Sequence, residues 1–589
     1  MLLIDGPSGA VYHDCRAALS HAIPCPPLPR AALEGTPEEC GERPARRRRR
    51  LLALAAGGVY LAIAAAMTWP LLSAPSRLGF VNMDVLGNIW ALAWDVHQAA
   101  RDPLRLFDSN MFYPQTLSLA YAESLLPQAL LAAPVIALGG SPLLAYNVVF
   151  ILSFVLSGVG AYLLAEEVSG SAGGAFLAGL AFAFCAYRWV HVVHLQSLTA
   201  QWLPLALLSL RRLWRGGSLS AAVGLAGFTA LQVLSSGYYS LLMAAALAIT
   251  MAAEWRAGGA PRDARRLASA LVVSGLCVLP VFAVYRTVQE RHGFSRGLEE
   301  TAAWSARPAS YLDPGRFVAL PHLTGLHSMI REGEPFYPGS AILMLAAVGV
   351  AAGRGTWDRV WAGVLTLTGF ALSLGPVIHV ASLDLPGPFL LLRALPGGAL
   401  LRTPSRLGVL ALLGLGLLAA LGWARLTAGK RLSAALVVAA GAVVTLEAWP
   451  VDLAGLVRPF PRAPAGVEWL RSAAPGVVLE LPWDTPGQSA LYLYWSTRHW
   501  QRMVNGFGSF DPPGSIGAGL MGRRWPSPYA AAQFRKRGIR YVVVHVEWVD
   551  PGPRARVLDT ELPDGVRLEA DFGTERVYAI DPLTAGGER

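Results

Sequence analysis

Lysine is almost missing from this chain: Lys430 and Lys536 are the only two among 49 basic residues, so the formal net charge of +10 is carried by arginine. Charge of either sign is scarce, at 15% of residues against 54% hydrophobic. A chain of 589 residues with that balance reads as an integral membrane protein rather than a string of soluble domains. The arginines fall in short runs between apolar segments, as orienting charge does, and not on one face that a nucleic acid would need. Cysteine is sparse as well. Cys15, Cys25 and Cys40 lie in the N-terminal tail, while Cys185 and Cys277 sit in apolar runs, which excludes a disulfide framework or a spaced metal site. No Gly-rich loop ends in Lys-Ser or Lys-Thr, and no serine elbow or zinc-protease helix is present. Chemistry on a substrate activated by cytoplasmic ATP is therefore not indicated. Charges inside the apolar segments are too few for an ion-coupled transporter.

Residues 1–45 are rich in Pro, Gly and charge, with the basic run Arg46–Arg50 at the end rather than at the start as in a signal peptide. They are expected to form a disordered cytoplasmic tail. Residues 46–450 follow as a transmembrane domain. Eleven segments are apolar enough to span, near 51–72, 143–165, 171–188, 197–214, 218–235, 237–254, 266–286, 338–353, 358–376, 405–424 and 431–450. A twelfth, Leu125–Leu138, is short and is interrupted by Pro127 and Pro134. The arginines arbitrate. If Leu125–Leu138 does not span, Arg211, Arg212 and Arg215, then Arg256 to Arg266, then Arg354 and Arg359, then Arg425 to Arg431 all fall on the side of Arg46–Arg50. If it spans, every one of those clusters crosses over, against the positive-inside rule. The first loop, 73–142, is therefore expected wholly outside with Leu125–Leu138 lying in the interface, and the loop 287–337 is outside too.

The tail 451–589 differs in kind. VVLELPW (477–483) and IRYVVVHVEW (539–548) read as buried strands, 567–572 with 576–580 as a closing hairpin, and 527–538 as a helix. The expected fold is thus an all-α polytopic bundle of about eleven transmembrane helices, with interfacial helices in the first outer loop. A small α/β extracytoplasmic domain completes it. Trp483, Trp495 and Trp500 in that domain suit stacking on sugar rings, although core packing is the commoner use of such residues.

Three constellations carry candidate chemistry. The first loop is aromatic and acidic. Asp84 stands at the start of a helical pattern whose apolar face is Val85, Ile89, Leu92, Ala93 and Val96, where it is suited either to capping or to facing a cavity. Glu123 precedes the interfacial helix, which it can cap, or it can reach the same cavity. Asp102 and Asp108 read as turn formers. Next, Arg188, His191, His194 and Gln196 lie at an outer connection. The two histidines, three apart, share a face if helical and could hold a metal or a phosphate, or simply sit at the interface. Gln201, one turn deeper, needs a partner. Last, Arg402 and Arg406 stand at an outer boundary against the orienting rule, which suits an anionic ligand as well as snorkelling to headgroups. Tyr238 and Tyr239, at another outer turn, are placed to line the same cavity.

With these blocks in place (Asp84 to Trp94-Asp95, Phe107-Asp108 to Phe112-Tyr113-Pro114, Tyr121 to Glu123, Tyr146-Asn147, His191 to Gln196, Gln201 to Pro204, and Arg402 to Arg406) the chain resembles the C-type glycosyltransferase fold group. More specifically, it resembles a set of bacterial multi-span membrane proteins that share these blocks. The resemblance implies a bacterial inner-membrane protein, N-terminus inside and C-terminal domain outside. It further implies transfer of a sugar from a polyprenyl-phosphate donor to a glycan, lipid or protein acceptor, with Asp84 alone in the place of the catalytic carboxylate; Glu123 is the second catalytic candidate by its position in the loop. His191, His194, Gln196, Arg188, Arg402, Arg406 and Tyr238 are the residues available to the lipid phosphate. It implies no obligatory cofactor, leaves a divalent cation open, and gives no role to nucleic acid. The competing readings are a flippase or transporter for lipid-linked glycans, and an assembly protein for envelope polysaccharide.

Overall fold

A computed structural model describes residues 37–320, 334–351, 357–380, 383–395, 397–430, 434–451 and 453–582. Of the tail expected to be disordered, residues 1–36 lie outside the described residues, and 37–45 begin a helix instead, Pro37–Met67. Acidic Glu38 and Glu39 at its start and the arginine run behind them favour that helix.

Each of the eleven expected spans falls on a helix. Six are long and apolar enough to cross a bilayer: Arg47–Met67, Pro142–Ser169, Ala172–Val190, Tyr238–Gly258, Ala264–His292 and Pro404–Thr427. Leu219–Ser235, Ser340–Ala351 and Ala434–Glu447 are apolar but shorter, and Trp202–Gly216 and Trp357–Ser373 are also short of a full crossing. The protein is a multi-pass membrane protein. Leu126–Ala137 is a helix of 12 residues, about 18 Å, too short for the roughly 30 Å hydrocarbon core.

Helix Val409–Thr427 is the hub of the bundle and is buried almost throughout. Its glycines allow that density. A methyl group at Gly422 would meet the Leu345 carbonyl oxygen, and one at Gly349, on the helix facing it, would meet the Leu418 carbonyl oxygen. Helix Ser340–Ala351 thus touches the hub backbone to backbone, as small residues permit in membranes.

The first loop folds against the C-terminal segment. Leu78–Phe80 pairs antiparallel with Val457–Pro459. Farther on, the Tyr113 amide donates to the Met503 carbonyl at 2.8 Å and the Met503 amide donates to the Asn110 carbonyl at 2.6 Å. The two segments that the arginine pattern assigns to one side are therefore hydrogen-bonded together.

Beyond Val457–Pro459, the C-terminal segment carries a five-stranded sheet: β1 Val477–Leu481, β2 Arg502–Met503, β3 Tyr541–His545, β4 Val566–Asp571 and β5 Glu575–Ile580. Their spatial order is β2-β1-β3-β5-β4. β1 is parallel to both neighbours, with Val478 opposite Tyr541 and Leu481 opposite Val544. β5 closes antiparallel on β3 and β4. Every residue of β1 and β3 is buried, which is why both read as apolar runs interrupted only by Glu480 and His545. Inside this core Glu480 meets His545 at 2.8 Å, and burial raises the Glu480 carboxyl above the usual range while His545 pulls it back.

At the end of the bundle away from this sheet, Arg211 and Arg215 hold Glu254 at 3.0 and 2.7 Å. Arg211 also pairs with Asp358 and lies over the Trp361 ring at 4.4 Å.

Candidate active site

Helix Met83–Arg101 sets the first carboxylate. Its cap is Asn82, whose Oδ1 accepts from the Asp84 amide at 2.8 Å. The capping role considered for Asp84 thus belongs to Asn82, and Asp84, in the first turn, lines a cavity of about 500 Å³. Val85, Ile89, Leu92 and Ala93 face the core as expected, whereas Val96 is only half-buried. The helix stops at Arg101 because Pro103 follows.

Glu123 lines the same cavity. The Tyr285 hydroxyl donates to the Ala122 carbonyl at 2.9 Å and accepts from the Ser124 amide at 2.7 Å, clasping the residues on either side of Glu123. Glu123 does not cap the helix at 126. It accepts from the Ser236 hydroxyl at 3.0 Å and the Gly237 amide at 3.3 Å, which joins the first loop to the turn before Tyr238.

Tyr238 stands between the two arginines. Its hydroxyl accepts from the Arg402 amide at 3.3 Å, and the Arg406 guanidinium lies 4.6 Å from its ring centre. Arg402 lies over Trp304 at 5.6 Å. Among the described residues neither arginine forms an ion pair, and the Nε of each is buried without a hydrogen-bond partner. Buried cations left unpaired at a cavity wall are available to an anion.

The two histidines occupy a turn rather than one helix face, because the helix Ala186–Val190 ends before them. They still meet. His191 Nδ1 and His194 Nδ1 are 3.1 Å apart. His194 Nε2 lies 3.6 Å from Asp84, beyond hydrogen-bond range, and His191 Nε2 lies 3.2 Å from Glu334 as an ion-pair contact. Two carboxylates and two imidazoles therefore form a row, with Asp84 at the cavity end and Glu334 at the buried end. Burial lifts the Asp84 carboxyl above the usual range, and Arg406 and Arg402 partly offset this. Burial, then His191, Arg406 and Arg402, push His194 down to about 2, so it is neutral. Burial works against the Glu334 carboxylate, yet attraction to His191, with Ser405 and Arg406 adding, holds it below its ordinary range.

Of the residues selected from sequence, Asp84, Glu123, His194, Gln196, Tyr238, Arg402 and Arg406 all line this one cavity, with His191 directly behind His194. Arg188 does not join them. Its guanidinium turns into the neighbouring helix, donating to the Ser153 carbonyl at 3.0 Å and lying over Phe154 at 4.6 Å. Gln201 is buried with both polar atoms unpartnered, so the partner its position calls for is not among the described residues. Sequence reasoning missed Glu334, which sits in an aperiodic loop, and Asn82, whose place before a helical apolar stripe was a readable cap signal. Asp95 has a separate fate. It is 2% exposed with no well-formed hydrogen bond, and burial pushes its carboxyl up to about 8, the nearby Leu125 amide opposing.

The cavity has a second character. Val233, Leu241, Leu279 and Phe282 line it as well, and Leu279 on helix Ala264–His292 is 62% exposed toward the outside of the bundle. A polar floor of carboxylates and arginines thus continues into an apolar side wall.

This architecture is shared with a solved enzyme. The arabinofuranosyltransferase AftD from Mycobacteria matches with a TM-score of 0.59 at 19% identity, over 91% of this chain and 40% of that one. The protein has the C-type glycosyltransferase fold and spans well under half the length of that structure. Looser matches are the oligosaccharyltransferase AglB from Archaeoglobus fulgidus (TM-score 0.47, 13% identity, 85% of this chain and 70% of that one) and ArnT from Cupriavidus metallidurans (0.45, 16%, 90% and 100%). The fold assignment rests on the first alone. Residues 55–446 match the family described as domain of unknown function DUF6311, and the chain belongs to that family. No curated protein sequence matches it.

Proposed function

We propose that the protein is an inverting membrane glycosyltransferase that moves a sugar from a polyprenyl-phosphate donor to an acceptor hydroxyl, with Asp84 as general base. The observation that carries this reading is the composition of the cavity. One carboxylate with a raised proton affinity faces two unpaired arginines, and an apolar wall runs sideways toward the bilayer. A lipid phosphate has that same two-part character, and it can enter between helices without a nucleotide site.

The step balances as follows. The acceptor oxygen bonds to the anomeric carbon from the face opposite the phosphate. The bond from that carbon to the phosphate oxygen breaks, its electron pair leaving with the lipid phosphate. The acceptor proton passes to Asp84. A carboxylate whose proton affinity is lifted toward working pH is better suited to this than an ordinary aspartate, and such base catalysis is typically worth about 10²–10⁴-fold. Arg402 and Arg406 neutralise the charge that grows on the departing phosphate. Neutral His194 lets Asp84 keep its negative charge without forming a tight ion pair. Among the described residues no group of three or more His, Cys, Asp or Glu is placed to hold a metal ion.

Transport finds less support. Two of the polar residues within the apolar segments are engaged locally, with Gln201 the exception among the described residues: Gln232 accepts from the Leu203 amide and donates to the Thr199 carbonyl, and Glu447 accepts from Ser340. They do not line up as a path. The test is to reconstitute the protein in liposomes with a set of labelled polyprenyl-phosphate sugars and measure free lipid phosphate. Release is expected from the native protein and a loss of at least 10²-fold from Asp84→Asn at unchanged melting temperature. Full activity of that variant would overturn the assignment of the base.

A further inference from the structure

The C-terminal sheet carries a second cavity, of about 520 Å³, that takes no part in the chemistry above. Its place follows from topology. The chain leaves β1 toward β2 on one side and then returns to β3 on the other, so the connections diverge between β1 and β3. In parallel sheets such divergence opens a crevice beyond the carboxyl ends of the two strands, where ligands bind. The cavity occupies that crevice, lined by Leu481 to Asp484 after β1 and by Val544 and Trp548 to Asp550 after β3.

We infer that this crevice is a saccharide-binding site. Trp548 is 41% exposed and Trp483 half-buried, and both line the opening, so flat apolar faces are presented where a sugar ring can lay its C–H face. The Asp484 carboxylate is held by Arg523 at 2.8 Å, which leaves acceptors and donors side by side for neighbouring hydroxyls. Asp550 caps nothing with its side chain and forms no ion pair among the described residues. Deeper in, Trp525 is 2% exposed, lines the cavity, and its indole N–H has no partner. A buried donor without a partner on a residue of the crevice lining is a group that an ordered water or a ligand oxygen can satisfy.

The same site disfavours a phosphate or nucleotide, the usual occupants of such crevices. A phosphate would need the free amides at the start of helix Pro486–Ser496. Those ends are already engaged. Thr485 accepts from the Gln488 amide, and the Gln488 side chain accepts from the amides of Asp484 and Thr485. The two carboxylates of the lining, Asp484 and Asp550, are matched by Arg523 and Arg556, so the crevice has no net positive charge to draw a phosphate. A hydroxyl-rich ligand of little charge fits what remains. That the saccharide is the acceptor of the transfer rests on the transferase reading; its binding here does not.

The experiment uses the full-length protein in lipid nanodiscs on an array of defined oligosaccharides of two to six sugars, covering arabinan, mannan, galactan, glucan and rhamnan fragments. Retention of at least one class is expected, at least tenfold weaker for Trp548→Ala and for Asp550→Asn, and retained by Trp548→Phe. Trp548 also stacks on His545, so Asp550→Asn at native melting temperature guards against a mere loss of fold. Asp84→Asn is expected to bind as the native protein does while losing transfer, which separates the two sites. The inference is overturned if nothing on the array is retained, if both crevice variants bind normally, or if capture is abolished by Asp84→Asn instead.

Discussion

The two ends of the helical bundle treat charge in opposite ways. Helix Tyr238–Gly258 runs between them: Tyr238 stands at the cavity and Glu254 sixteen residues on, roughly 24 Å away at 1.5 Å per residue. At the Glu254 end, Arg211, Arg215, Glu254 and Asp358 satisfy one another in a closed, largely buried group. At the Tyr238 end, Asp84, Glu123, Arg402 and Arg406 face a common space, and among the described residues neither Arg402 nor Arg406 pairs with a carboxylate, whereas Arg286 and Arg296 on the same lining are held by Glu290 and Glu300. Charges thus serve structure at one end, while Asp84, Glu123, Arg402 and Arg406 stand open at the other. Buried charge is kept unpaired only where something else repays its desolvation, and a charged ligand is the ordinary means.

The largest expected effect breaks the paired end. Glu254→Ala leaves the buried Arg211 with Asp358 as its one remaining carboxylate and takes the closest partner from Arg215, and should cost about 3 kcal/mol of stability, the low end for breaking a buried pair. Thermal unfolding in detergent would show it as a marked fall in melting temperature, with transfer per folded molecule unchanged. If activity fell and stability did not, the two ends would not differ in the way described.

The matching change at the open end should give the reverse pattern. Arg406→Gln removes a cation that no carboxylate holds, so the melting temperature should stay level or rise. Transfer should drop by about 10²–10³, the usual cost of losing one group that stabilises developing charge. The pH profile sharpens this. The two arginines draw the raised Asp84 carboxyl back toward the ordinary range. Activity needs the ionised base, so the acid limb of the native profile should lie above the usual aspartate range and move further up in Arg406→Gln. A limb that stayed put would detach Asp84 from the arginines.

That contrast was half legible in the amino-acid sequence. The helices of the bundle were, because apolar segments advertise themselves by length and composition, while the side that the arginine runs assign to each loop stays an expectation. Arg402 and Arg406 stood out by breaking the arginine pattern, and Asp84 by its place after the first span. Arg188 shows the limit: a boundary position does not reveal which way a guanidinium turns, and Ser153 and Phe154, a helix away, decided it. Glu334 was out of reach for the same reason, since its meeting with His191 spans 143 positions of chain. Helix length was less legible than helix existence: the segment expected near 338–353 is a helix over Ser340–Ala351, because composition reports apolarity and not where the last turn ends.

Asp95 offers a smaller effect whose sign depends on pH. Its carboxyl titrates near 8 in the folded chain against about 4 when unfolded. Between those values the unfolded chain has lost a proton that the folded one keeps, so stability declines as pH rises and levels off above about 8. Asp95→Asn cannot ionise and should escape that decline. Its melting temperature should equal the native one near pH 4 and exceed it increasingly up to pH 8, where the stability gap reaches a few kcal/mol. A constant offset across that range would mean the site is not protonated as described.

The smallest change tests whether the open end depends on how Asp84 is held. Asn82 contributes no charge and touches no substrate; it fixes the first turn of the helix by accepting from the Asp84 amide. Asn82→Ala should lower stability by only ~1 kcal/mol, the ordinary worth of a cap. A first turn left free to fray carries Asp84 with it, and displacement of a catalytic group by an ångström costs far more in rate than in stability. Transfer should therefore fall roughly tenfold, out of proportion to the melting temperature, and Asn82→Ser, which can still accept from that amide, should restore it. An alanine variant that lost stability but not rate would leave Asn82 a cap and nothing more, and would show that the open end tolerates a loosely held base.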